Sequence, residues 1–362
     1  MADSAGAPLH YDPDYAIPAG ETLRDVLADH GMTQSELAAR TDLSLKHVNQ
    51  IIHGAAPITA ETALAFEQAT EVPAAIWNRL EGNYRDRLAR LERKRALEAD
   101  VKWLESLPVR ELQKRGYLAE GLKGGALVDA VCRFFGVANR QGWERVWRTP
   151  LASFRRSKAF TSDVGAVATW LRIGEKKAAG VECAPFNAKR FRKALRTIRT
   201  MTNDPEGSMP EVIRLCAESG VAVVFEREIP GTRASGAARW LTPTKGLIQL
   251  SLRHKADDHL WFSFFHEAAH LLLHSKKATF ITGIGDQDEE LEDEANEFSE
   301  SLLIPRQFEP ELRGLRSDFE IEMFAERVGV APGIVVGRLQ KEGLLAWSRG
   351  RRLKKHVDLV DD

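Results

Sequence analysis

The segment His266-Glu267-Ala268-Ala269-His270 sets two imidazoles four residues apart, with a carboxylate directly after the first. On a helix four residues turn about 400°, so both rings lie on one face, one turn apart. There they can share a tetrahedral Zn²⁺, with Glu267 flanking the ion's open position. Peptide hydrolysis needs this arrangement: the metal lowers the pKa of a water and polarises the scissile carbonyl, and Glu267 accepts the water proton and passes it to the leaving amine. A chance match to three fixed positions is the competing explanation. The surroundings argue against it, because Phe262, Phe264 and Phe265 precede the pattern, Leu271, Leu272 and Leu273 follow it, and a strand-like run lies just upstream. The motif therefore belongs on a buried helix, from about Asp258 to His274.

A catalytic zinc takes three protein ligands, and the acidic stretch from Asp286 to Glu297 offers carboxylates on what reads as a second helix. Glu292, Ala295, Asn296 and Ser299 fall at 0, +3, +4 and +7, a face of one carboxylate and small residues that can pack closely on the first helix. Glu292 is the expected third ligand, and Asn296, one turn on, is placed to orient a metal-bound imidazole. Glu294 is the alternative ligand, while most of this acidic run is a solvated helix face. His274 continues the imidazole row, but three ligands on one straight helix diverge from a single ion, so it is not in the expected metal set.

The N-terminal part carries a different chemistry. Short helices from about Ser35 to Arg40 and from Leu45 to His53 are joined through Thr41, Asp42 and Leu43, the length and turn of a helix-turn-helix. Thr33-Gln34-Ser35-Glu36 is a capping box for the first, and Ser44 can cap the second. With the second helix in a major groove, Ser44, Leu45, Lys46, His47, Asn49 and Gln50 face base edges and phosphates, Val48, Ile51 and Ile52 face inward, and Gln34 touches phosphate. Any helical bundle holds two helices and a turn, and residues 21–98 carry ten Lys/Arg against twelve acids, so charge alone does not single this unit out.

Both ends resemble known families. Phe-Phe-His266-Glu-Ala-Ala-His270-Leu-Leu-Leu-His274, followed by Glu292-x-x-Ala-Asn296-x-Phe-Ser-x-x-Leu302-Leu303-Ile304-Pro305, is similar to the ImmA/IrrE metallo-endopeptidases over roughly residues 206–345. Ala268 and Ala269 stand where that family commonly has Leu or Ile then Gly, and Ser299 and Ile304 where Ala and Met are common. The resemblance implies a small zincin domain, three strands beside the active-site helix, that cleaves a helix-turn-helix repressor. Ala16-Ile-Pro-Ala-Gly-Glu-Thr-Leu23, Thr33-Gln-Ser-Glu-Leu-Ala38, Val48-Asn-Gln-Ile-Ile-His-Gly54, Pro57 to Leu64 and Trp77-x-x-Leu-x-x-x-Tyr84 resemble the HigA-type branch of XRE domains over about residues 16–92. That implies a dimeric operator binder, often encoded beside a toxin.

Over the whole chain, 51 Lys/Arg against 52 Asp/Glu give a net charge of -1, which excludes a chain that binds nucleic acid by bulk charge. No apolar stretch approaches the roughly 18 residues of a membrane span, and Met1 to Gly20 lacks the pattern of a secretory signal. The expectation is a cytoplasmic protein with no membrane contact and reduced Cys132, Cys183 and Cys216. Residues 139–199 hold fifteen Lys/Arg against four acids, with Trp143, Trp147, Phe154, Phe160, Trp170, Phe186 and Phe191 among them. Aromatics at helical spacing are more often core than a nucleic-acid face. Turn formers at 201–210 suggest a boundary, and the tail from Phe324 to Leu339 resembles a second helix-turn-helix that packs beside the metal domain.

The expected fold is multidomain and mainly α: an N-terminal arm (1–20), an all-α helix-turn-helix domain (21–97), a basic helical connecting region (98–205), and an α+β zincin-like domain with a small three-stranded sheet and helical tail (206–362). The expected function is a DNA-binding regulator carrying a zinc endopeptidase. Its partners are double-stranded operator DNA, a second copy of the chain in a homodimer, and a protein substrate, either a helix-turn-helix repressor or a cognate toxin. The alternative is an antitoxin or autorepressor whose metal domain senses a signal or binds a partner without proteolysis.

Overall fold

The computed structural model describes residues 13–152, 163–251, 253, 255–276, 279–282 and 289–358. They form two compact units, one from residues up to 101 with 122–128, the other from 102–121 with 129 onward.

The first unit is all helical, with helices at Ala19–Asp29, Gln34–Thr41, Leu45–Ile52, Ala60–Thr70 and Ala74–Ala99. Leu23, Leu27, Leu37, Val48, Ile51, Ile52, Phe66 and Trp77 close one core, with Val48, Ile51 and Ile52 facing inward as the helix spacing predicts. The first and third helices touch backbone to backbone: a Cβ at Gly20 would lie 2.3 Å from Ile52 Cα, so no larger residue fits. Thr33 accepts from Glu36 N (3.2 Å) and Ser44 from His47 N (3.1 Å), so both expected N-caps are made. Among the described bonds Glu36 turns to Arg40 (2.7 Å) instead of closing the capping box.

The second unit is built on a sheet of four strands, not three: β1 Val221–Phe225, β2 Gly236–Thr242, β3 Lys245–Leu250 and β4 Phe280–Thr282, in the order β1-β3-β2-β4. β1 runs parallel to β3, while β2 is antiparallel to both β3 and β4. β1 is buried on both faces, which is why its sequence, Val-Ala-Val-Val-Phe, is a continuous apolar run rather than an alternating one. Val221, Val223, Ile248 and Leu250 pack with Leu260, Trp261, Phe264 and Phe265 of the helix Asp257–Leu273. Ala222, Val224 and Leu247 pack on the other side with Ala178, from the helix Val164–Ala179. Gln249 ties that helix to the sheet by donating to Trp170 O (2.8 Å), and Trp170 Nε1 donates to Glu226 O (3.0 Å).

The segment expected to be a connecting region thus supplies a layer of the second unit. Trp143, Trp147, Trp170 and Phe191 are buried core, whereas Phe154, Arg155, Arg156, Lys158 and Phe160 lie outside the described residues. The turn formers at 201–210 do not end a unit. Asp204 caps a helix, Pro205–Glu218, by accepting from Gly207 N (3.1 Å), and Pro205 occupies its first turn, where a missing N–H costs nothing. Val335, Val336 and Leu339 of the tail helix Pro332–Lys341 are buried against the Asp257–Leu273 helix, as expected of a packing role. Cys132 and Cys216 are buried and Cys183 is half-buried, none of the three in a disulfide.

Candidate functional site

His266, Glu267 and His270 stand in the middle of the Asp257–Leu273 helix, all buried. A second helix, Glu289–Leu303, packs along it through the fully buried Ala295 and Ser299, so the small-residue face read from the spacing is the contact face. This brings Glu292 over both imidazoles: Oε2 lies 3.1 Å from His266 Nε2 and Oε1 3.3 Å from His270 Nε2. The two Nε2 atoms are 3.0 Å apart. Asn296, one turn on, adds to the neighbours that favour a charged His266, although His266 Nδ1 has no hydrogen-bond partner among the described residues. Glu294 points elsewhere, to His274 (3.2 Å).

The electrostatics follow from this crowding. Burial alone would raise the Glu292 carboxyl, but hydrogen bonds and charge from His266 and His270 outweigh it and hold it at about 2. Burial works against a charged His266, yet Glu292 and Glu267 win and move it up; burial and the His266 charge move His270 down. Full burial pushes Glu267 up to about 7, against the opposing pull of His266 and the Thr282 hydroxyl.

The residues fit a divalent cation. Nε2 of His266, Nε2 of His270 and a Glu292 oxygen all lie within 4.8 Å of one another. Two imidazole nitrogens and a carboxylate aimed at one point are an N₂O donor set of the kind that holds catalytic zinc with a position left open. Glu267 Oε2 is buried and has no protein partner, as a group reserved for a water or substrate would be.

Three neighbours escaped the sequence reading. Thr282 Oγ1 donates to Glu267 Oε1 (2.6 Å), Phe280 stacks on His270 (4.1 Å, 9°), and Gly236 leaves the space Glu267 occupies, since a Cβ there would lie 2.5 Å from Oε1. All belong to β2 or to β4, whose three residues are too few to show a strand pattern.

On the first unit, Leu45, Lys46, Asn49 and Gln50 are exposed along one side of the Leu45–Ile52 helix, with Ser44 exposed at its cap and His47 half-buried. Asn49 Nδ2 donates to Gln34 Oε1 (3.5 Å), so the start of the preceding helix joins that face.

Residues 216–340 match the family described as IrrE N-terminal-like domain, Peptidase_M78, and residues 23–77 match the helix-turn-helix family HTH_3. The chain joins a helix-turn-helix domain to an IrrE-like domain. Among solved structures, a Pseudomonas aeruginosa protein in complex with its operator DNA is 28% identical over 21% of this chain and 82% of its own, with a TM-score of 0.20. An addiction module antidote protein of the HigA family from Coxiella burnetii is 26% identical, over 25% of this chain and 91% of its own, also at 0.20. The Pseudomonas aeruginosa antitoxin HigA with the higBA promoter is 28% identical, over 25% and 92%, again at 0.20. No curated protein matches the chain. No described helix is long and apolar enough to cross a membrane.

Proposed function

We propose that this chain is a transcriptional regulator whose helix-turn-helix domain binds operator DNA and whose IrrE-like domain is a zinc-dependent endopeptidase acting on a protein target such as a repressor. The observation that carries the enzymatic reading is the convergence of His266, His270 and Glu292 beside the buried Glu267, within a domain matched to a peptidase family. Zinc, when bound, supplies Lewis acidity toward water and the scissile carbonyl.

His266, His270 and Glu292 would hold the ion. Asn296, one turn from Glu292, is placed beside His266 to orient its ring, and Phe280 fixes the plane of the His270 ring. Glu267 holds the proton: Thr282 occupies Oε1, which leaves Oε2 free to take a proton from water and return it to the leaving amine. Burial raises the Glu267 carboxyl, which strengthens it as a proton acceptor. On the other domain, the Gln34, Ser44, Leu45, Lys46, His47, Asn49 and Gln50 face has the residue types for phosphate and base-edge contacts.

Glu267→Gln tests the reading. The variant should keep its zinc by elemental analysis and lose cleavage of co-expressed helix-turn-helix repressors by at least about 100-fold. Unchanged cleavage would remove Glu267 from its role. A wild-type chain that holds zinc and cleaves none of them would favour the antitoxin or autorepressor reading.

A further inference from the structure

His270 offers the Nε2 lone pair to a cation only when its ring proton sits on Nδ1. That Nδ1 lies 2.8 Å from Nδ1 of His274, one turn further along the helix. A donor on one side requires an acceptor on the other, so His274 carries its own proton on Nε2. His274 Nε2 is 3.2 Å from Glu294 Oε2, an acceptor. Every proton in the row Glu294, His274, His270 is thereby assigned by one requirement, a free lone pair at the metal site.

The surroundings support a built arrangement rather than a surface coincidence. The His274 side chain is 2% exposed, while Glu294 is 60% exposed and closes the row at the surface. Phe280 lies flat on His270 and 5.1 Å from the His274 ring, which limits how far either imidazole can turn. His274 is not among the converging ligand atoms of His266, His270 and Glu292. Glu292 and Glu294, two residues apart on one helix, point about 200° apart around its axis, so one reaches the imidazole pair and the other reaches behind it.

We propose that His274 and Glu294 form a positioning relay that locks His270 in its metal-binding tautomer and so raises the affinity of the site for zinc. This rests on the metal reading above. A carboxylate at the outer end makes His274 a better acceptor for the His270 proton, and that in turn makes His270 Nε2 a stronger donor to the cation.

The test is zinc affinity of the full chain, measured by competition with a chromophoric chelator. His274→Phe fills the same space without an acceptor and should weaken zinc binding about 10- to 100-fold. His274→Asn places Oδ1 where ring Nδ1 was but drops the link to Glu294, so it should match Glu294→Ala and stay clearly tighter than the Phe variant. Glu294→Ala, at an exposed position that cannot disturb the core, should weaken binding by up to about tenfold. Wild-type affinity in His274→Phe, or an Asn variant as weak as the Phe variant, overturns the relay while leaving the metal reading standing. A wild-type chain that takes up no zinc overturns the metal reading and the relay together.

Discussion

Glu267 sits where a carboxylate is costly, fully buried and with one oxygen unpaired, and two neighbours make that position possible. Thr282 holds the other oxygen, and Gly236 vacates the volume. Gly236→Ala should therefore displace the Glu267 side chain, since the new methyl would lie 2.5 Å from Oε1. The ligands His266, His270 and Glu292 would be untouched. The expected outcome is a zinc content equal to wild type by elemental analysis, with cleavage reduced by about tenfold or more, because a small misplacement of a positioned base is expensive. Loss of zinc together with cleavage would show instead that the substitution disturbs the whole site.

Two helices make predictions of their own. The Asp257–Leu273 helix begins with Asp257, buried, whose Oδ1 accepts from Asp258 N (2.9 Å) and Lys355 N (3.1 Å) while Oδ2 has no partner. Burial and the adjacent Asp258 push its carboxyl up to about 6, with Lys354, bonded to Asp258, pulling the other way. The folded value lies above the unfolded one, so this group favours the fold below about pH 4, and that contribution is lost as pH rises through 6. Relative to Asp257→Asn, the wild type should lose about 2 to 3 kcal/mol between pH 4 and 7 in urea unfolding. A constant difference across that range would show that Asp257 does not titrate there. On the Leu45–Ile52 helix, Lys46 and Gln50 are exposed beside the buried Val48, Ile51 and Ile52. Gln50→Ala should weaken binding to the protein's own promoter by about 1 to 3 kcal/mol, and Lys46→Ala should lower the salt dependence by about one ion. Unchanged affinity in both variants would exclude this face as the docking surface.

At the scale of the whole chain, two units with separate cores imply two unfolding events, only one of which contains the candidate ligands His266, His270 and Glu292. Calorimetry should resolve two transitions. A chelator should lower one of them, by about 2.7 kcal/mol if zinc had been present at 100 times its dissociation constant, and leave the other in place. A chelator shift in both transitions would mean that they do not unfold independently. The unit with the sheet takes in most of residues 102–205, because both faces of β1 and β3 are apolar and one helix can cover only one of them. The helix Val164–Ala179 covers the second.

What the sequence determined by itself is local in origin. The spacing of His266, Glu267 and His270, the small face at Glu292, Ala295, Asn296 and Ser299, and the inward and outward sides of the Leu45–Ile52 helix all follow from 3.6 residues per turn, which needs no partner to be read. The tertiary structure alone decided what depends on segments far apart in the chain. Thr282 and Gly236 meet Glu267 only because β4 adds to β2, and a three-residue strand carries no pattern of its own. The small-residue face already pointed to Glu292 over Glu294, but that its two oxygens meet the two imidazoles while Glu294 reaches His274 depends on how the two helices pack. The basic middle segment joined the sheet for the same reason: charge and turn residues mark a surface and a cap, but only the buried area on the far side of the strands dictates what must cover it.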